Sequence, residues 1–555
     1  MEQFFVFFSY ISTYHILMIS EILFLLVSRK RDLLFKITAI FFPAILSVYF
    51  LVAQETLLTY LSFSSIKTLS VHYKPILSVF CLVNLITNLY VLRQNHRSNT
   101  KSSIIEIIIN SLYCNFSILY ILSDNLIFMF IILEIMAVLA STLIFLGNSR
   151  NYKDINAILY IITHILSGSL ILVGAIGMLN NGLSLQITSL HYIINQSSDS
   201  IVLYISYYLL LIGCLINVAV PPFYLWFVKC YSSITSASFL SLITFTTKAS
   251  LVILIKLFPG LDFLKYFGIC AIIYGFIYAC IEQNLIRTLC YLGLGQIGIV
   301  IVIISKNALA NANLYIWVHI LYKTLLSLVF IEFYHLYGFV NKSDITRTNS
   351  LVLNFGFLVS FLMLISFPWT LTYIVKHRLL TEAPIYTFYL MLFMQISNFI
   401  ALPIKNIFFS KEISLNRSPD VYCKAGILLL SSIIIILNVF LMYPDSDHLS
   451  VSINTFIILI AGFVLSMIIN IKHKDMLNYD ISTFIWNRIC SKFVYLKCIL
   501  GISKHLAKKT FFNQFNLITY FCISSIKYLR IIHTQQTSIF IVFMIFTIMF
   551  TILTL

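Results

Sequence analysis

The 555-residue sequence is 60% hydrophobic and only 10% charged, with a mean hydropathy of +0.97. Soluble domains carry about 25% charged residues, so a water-exposed globular surface of this size is excluded. The formal charge of +16 does not point to nucleic acid, because Lys and Arg stand in short clusters between apolar runs, the placement found in cytoplasmic loops of membrane proteins.

About 20 apolar helical residues cross a hydrocarbon core ~30 Å thick. On that scale the chain predicts an all-α polytopic membrane protein of about sixteen transmembrane helices. Spans are expected near 4–27, 33–55, 75–93, 102–122, 124–146, 157–179, 201–228 and 236–258. They continue at 262–283, 287–305, 312–337, 350–375, 385–404, 425–443, 453–471 and 538–554. The N-terminus shows no basic region and no small-residue cleavage site, so the first span is expected to be retained. The eleven cysteines form no C-x-x-C pair and read as small buried hydrophobes.

Basic clusters follow alternate spans. Arg29–Arg31, Arg93 to Lys101, Arg150 and Lys153, Lys229, Arg287, Lys342 and Arg347, and Lys405 to Arg417 all fall on one side. That side is expected to be cytoplasmic, with both termini outside. Residues 472–537 form the one sizeable extramembrane segment, rich in Lys and Arg. It reads either as a helix along the anionic inner leaflet or as a solvated basic linker.

An ionisable residue at mid-membrane costs about 2.5–3.5 kcal/mol on insertion scales. Glu134, His164, Lys248, His319, Lys323 and Lys376 all lie in or beside apolar runs. His319 and Lys323 are four residues apart and share a helix face. Each has a structural alternative: Glu134 as an ion-pair lock, Lys376 snorkelling at a helix end, His164 as a satisfied core histidine. Together they read as a proton relay, since burial favours the uncharged form of acid and amine alike and brings them into exchange near neutrality. Two spans are also interrupted, by Asn217 with Pro221 and Pro222 and by Phe367 with Pro368. Proline frees a backbone carbonyl, which membrane depth tolerates beside a polar cavity. Broken helices in corresponding positions of 102–258 and 262–404 suggest two five-helix repeats of inverted topology, broken at helices 7 and 12. Flanking them are an N-terminal three-helix segment, 1–101, two further helices in 405–471, and a C-terminal helix in 538–555.

Several blocks resemble the D-type membrane subunit of the Mrp-type multisubunit cation/proton antiporters and the related antiporter-like, proton-pumping subunits of respiratory complex I. They are PPFYLW at 221–226, FTTKASLVILIKLFPG at 245–260, IYACIEQNLIRTLCY at 277–291, GQIG at 295–298 and VHILYKTLL at 318–326. Weaker likeness covers 124–180 and 350–405. The resemblance implies that Glu134 is the fifth-helix glutamate and Lys248 the central lysine. It makes His319 and Lys323 the next relay pair, and Lys376 the lysine beyond the second broken helix. It also implies a polar axis joined to half-channels on either side. Departures are present: Asn217 stands where complex I subunits place a lysine paired with the glutamate, and Lys229 replaces an acid. An Asn there can hydrogen-bond Glu134 but cannot modulate it by moving a charge. Leu371-Thr372 replaces the Ser-Gly of the second break.

The leading expectation is a proton-translocating subunit of a monovalent cation/proton antiporter in the bacterial plasma membrane. Its partners would be other membrane subunits, lipid, protons, and Na+ or K+. The competing readings are a proton-pumping subunit of NADH:quinone oxidoreductase and a non-transporting homologue. No Rossmann glycine fingerprint or cysteine cluster calls for a cofactor, and no enzyme activity is expected of the subunit itself.

Overall fold

The computed structural model describes residues 13–52, 73–95, 101–146, 153–187, 201–402, 412–413 and 419–442, isolated positions excepted. The expected spans 453–471 and 538–554 and the basic segment 472–537 lie outside the described residues.

Sixteen helices follow one another among the described residues. They are α1 (Thr13–Ser28), α2 (Asp32–Val52), α3 (Lys74–Asn95), α4 (Lys101–Leu122), α5 (Leu126–Leu146) and α6 (Lys153–Asn180). Next come α7 (Ile201–Val218), α8 (Leu225–Tyr231), α9 (Ser238–Leu257), α10 (Leu264–Ile281) and α11 (Leu285–Ser305). The series ends with α12 (Leu309–Tyr337), α13 (Leu351–Leu364), α14 (Leu371–Glu382), α15 (Pro384–Ala401) and α16 (Val421–Met442). Eleven helices among the described residues are long and apolar enough to cross a membrane. Strand structure there is limited to two residue pairs, β1 (Arg347–Thr348) running parallel to β2 (Glu412–Ile413).

Turn chemistry sets the helix ends. The Asn284 side chain accepts from the N–H groups of Ile286 and Arg287 at 3.0 and 3.1 Å and starts α11. Gly338, with φ 70°, closes α12 in the left-handed conformation that lacks a Cβ penalty. Lipid tails are as apolar as leucine, so close backbone packing rather than hydrophobicity holds membrane helices together. The α10–α11 hairpin uses this device: a methyl on Gly298 would overlap the Gly268 carbonyl, and one on Gly275 would overlap the Gly295 amide. Helices α9 and α11 are wholly enclosed. Outer helices expose large apolar side chains such as Val27, Val52, Ile201 and Phe440, the surface a bilayer solvates.

Both proline breaks are real and are built alike. At the first, the Ala219 N–H donates to Ile216 O at 3.1 Å and the Val220 N–H to Leu215 O at 3.2 Å. At the second, the Ser366 N–H donates to Met363 O at 3.1 Å and the Phe367 N–H to Leu362 O at 2.9 Å. This paired pattern is a Schellman closure, with Ala219 (φ 66°) and Ser366 (φ 52°) in the position glycine usually takes. A side chain then covers the equivalent carbonyl in each break: Trp226 Nε1 donates to Ile216 O at 3.0 Å and Thr372 Oγ1 to Met363 O at 2.6 Å. The seventh and twelfth expected spans are thus each two helices. The second resumes at Leu371 and runs past the expected end at 375 to Glu382.

Candidate functional site

The enclosed helices carry the charges. Lys248, at 1% exposure in the middle of α9, donates from Nζ to Ile243 O at 2.6 Å and to Thr247 Oγ1 at 3.1 Å. His319 and Lys323 lie one turn apart on α12 and are both buried. The His319 ring sits between those of Tyr315 and Tyr322, at centroid distances of 6.1 and 5.4 Å, and neither of its nitrogens makes a hydrogen bond among the described residues. Lys323 Nζ occupies the space left by the missing side chain of Gly293 on α11, 5.8 Å from the centre of the Phe227 ring, and makes no hydrogen bond among the described residues. Lys376 is buried in the second turn of α14, and its Nζ is likewise unbonded among the described residues. Snorkelling from a helix end, the structural alternative for this lysine, does not describe that position.

His319 is thus one of four buried ionisable groups, with Lys248 on α9, Lys323 on its own helix and Lys376 on α14. A charge on one of these groups opposes a charge on the next.

Glu134 belongs to a second group. Its carboxylate rests on Gly168 of α6, beside the Phe130 ring, and it makes no hydrogen bond among the described residues. His164 lies one turn before Gly168 on the same helix. Its ring is packed between those of Tyr160 and Trp226, with centroids at 4.2 and 4.6 Å. Both ring nitrogens lack a hydrogen bond of good geometry among the described residues. Asn217 faces His164 rather than Glu134, and neither atom of its amide makes a hydrogen bond of good geometry with a described residue. An Asn217–Glu134 hydrogen bond is therefore absent among the described residues. Pro221 and Pro222 stand in the first break, as Pro368 does in the second.

A hydroxyl cluster lies beside the second group. Thr246, two residues before Lys248, is approached by the hydroxyls of Tyr160 at 3.0 Å, Tyr231 at 3.3 Å and Tyr113. Tyr160 stacks on His164, so the cluster reaches from α6 to α9. Among the described residues, no group of three or more His, Cys, Asp or Glu side chains could hold a metal ion.

A profile of the family described as NADH:quinone oxidoreductase/Mrp antiporter, TM, matches residues 123–401, about half of the sequence. The chain belongs to this family. Every residue of the candidate relay lies inside the matched segment of this antiporter-like membrane protein.

Solved structures share the fold. A chain of the membrane-bound sulfane sulfur reductase, an archaeal respiratory membrane complex, superposes with TM-score 0.66 at 16% identity, covering 81% of this chain and 98% of its own. A chain of the Mrp complex from Dietzia sp. DQ12-45-1b gives TM-score 0.61 at 14% identity, with coverage of 80% and 98%. A chain of respiratory complex I from Thermus thermophilus, with bound aureothin, gives 0.63 at 14% identity, with coverage of 77% and 97%. No curated protein matches by sequence.

Sequence reading missed Gly168 and Gly293, the seats of two charged heads, and the tyrosines around Thr246. Part of that signal was present. The FTTKAS segment flanks its lysine with hydroxyls, and Gln296 of GQIG accepts a hydrogen bond from Tyr315, one turn from His319.

Proposed function

We propose that the chain is the proton-translocating membrane subunit of a multisubunit monovalent cation/proton antiporter. The observation that carries this reading is the burial of one imidazole and three lysines, His319, Lys248, Lys323 and Lys376, on three helices of one bundle. Two of those lysines and the imidazole have no fixed hydrogen-bond partner among the described residues. A buried ion pair held for stability would satisfy its members; a group that gives and takes protons is left free to change partners.

The proposed route runs from Glu134 past His164, across the Tyr160–Thr246 hydroxyls to Lys248, and on through His319 and Lys323 to Lys376. Asn217 does not carry charge on this route. The matching closures at Ala219 and Ser366 support the reading of 102–258 and 262–404 as two repeats, each with one broken helix. The partners are other membrane subunits of such an assembly, in the bacterial plasma membrane, with protons and Na+ or K+ as cargo and no cofactor in this subunit.

The test is flux together with company. Purified protein in vesicles, given an imposed Na+ or K+ gradient, should move the internal pH, and companions retained in mild detergent should be small hydrophobic membrane proteins. A static internal pH would overturn proton translocation. Companions carrying iron–sulfur clusters would move the protein to the redox-driven branch of the family.

A further inference from the structure

A helix broken inside a membrane leaves the first N–H groups of its second half without helical partners, and lipid offers none. The two breaks meet this need differently. In the first, Trp226 of α8 covers the Ile216 carbonyl from within the same span, and Tyr224, before α8, gives no side-chain cap. In the second, the N–H of Leu371, the first residue of α14, donates to Asn438 Oδ1 at 3.0 Å. Asn438 is half-buried on α16, 67 residues further along the chain and beyond the segment matched by the family profile.

The other arm of the same amide reaches back across the break. Asn438 Nδ2 donates to Met363 Sδ at 3.5 Å, in the last turn of α13. Turning the amide over would set its NH2 against the Leu371 N–H, donor against donor, so the network fixes this orientation. One side chain therefore holds both halves of the broken span. What it holds matters for the charge beyond it. Lys376 stands five residues after Leu371 in a helix of 12 residues. Its Nζ is buried and makes no hydrogen bond among the described residues, so the ammonium lies where α14 puts it.

We propose that Asn438 is a positioning residue for the relay, clamping α14 to α13 across the second break and so setting where Lys376 stands. The proposal rests on the reading of Lys376 as a relay member. Asn438→Leu keeps the size and the helix and removes both bonds. Asn438→Asp keeps an oxygen for the Leu371 N–H, and the positive end of α14 favours a negative partner. If Asn438 served only to pack α16 in the bilayer, leucine would be harmless and aspartate the damaging change. The clamp predicts the reverse order.

Two measurements on the full chain read it. Hydrogen exchange in detergent should quicken over 371–376 by about fivefold in Asn438→Leu, the scale of losing a helix cap, and stay near wild type in Asn438→Asp. Proton flux in vesicles should fall about 10- to 100-fold in Asn438→Leu, as a displaced group costs, and be retained in Asn438→Asp. Wild-type exchange or wild-type flux in Asn438→Leu would overturn the proposal, as would a greater loss of flux in Asn438→Asp. A wild-type protein that moves no protons would overturn the transport reading instead, and exchange would still decide the clamp. Should Asn438→Leu not elute as a single species, Asn438→Ala carries the same comparison.

Discussion

Replacing Gly293 by alanine separates the position of a charge from its presence. A methyl at 293 would overlap Lys323 Nζ, lie 3.1 Å from its Cε and stand 3.5 Å from Phe227 Cζ. Carbon contacts settle at about 3.5–4.0 Å, so the ammonium must swing aside by roughly 2 Å while the rest of the lysine shifts by a few tenths. Proton transfer needs heavy atoms within about 2.6–3.2 Å, directly or through one water. A misplacement of about 1 Å can already cost on the order of 100-fold. Proton flux in vesicles, followed with a trapped pH dye, should therefore fall about 100-fold, close to background. Stability should hold, because alanine is favoured over glycine inside a helix by up to about 1 kcal/mol and only a flexible side-chain tip has to move. Gly298→Ala on the same helix is the contrast: its methyl would meet the Gly268 carbonyl and the Ile272 amide, so it should lower the melting temperature instead. Wild-type flux in Gly293→Ala would refute the placement of Lys323 on the route.

Gly168→Ala should act on Glu134 in the same way, since a methyl there overlaps Oε1 and crowds Phe130; flux should drop with the protein still monodisperse, and an unchanged rate would take Glu134 off the path. Lys342, in the loop after α12, donates to Ala279 O at 2.6 Å, and burial pushes its ammonium down to about 7 despite the opposing pull of Cys280 and Glu282. An unfolded lysine titrates near 10.4. Between those two values the unfolded chain holds a proton that the folded chain has released, so stability gains with rising pH. The melting temperature of wild type relative to Lys342→Met should climb from pH 7 toward pH 10, and a falling difference would contradict the buried ammonium. A reporter that works only in the cytoplasm should be active when inserted near Lys504 and silent after Leu555; the reverse pattern would invert the topology.

Hydropathy made most of the fold legible. The expected span 236–258 is the helix Ser238–Leu257, and 312–337 is Leu309–Tyr337, because a bilayer demands unbroken apolar length and little else. The breaks were readable from proline, but not the way they close, since neither Ala219 nor Ser366 is a residue type that announces a left-handed turn. The end of α14 escaped because KHRLLTE resembles a loop in composition while continuing as helix. At the site, the identity of each charge was visible and its neighbours were not. Asn217 lies opposite His164 because α7 packs on α6 in one particular register, and a single sequence does not contain that register. Asn438 escaped for the same reason: its place in an apolar helix gives no sign of the break it faces.

The central claim is that the buried lysines move protons, and Lys248 tests it most directly. Lys248→Met keeps length and apolar bulk while removing the titratable group, so the fold should survive. Lys248→Arg keeps the charge but holds its proton throughout this range. Measured as proton flux in vesicles of equal protein content, both variants should fall to background. Normal flux in Lys248→Met would contradict the account and leave the lysine as a structural charge.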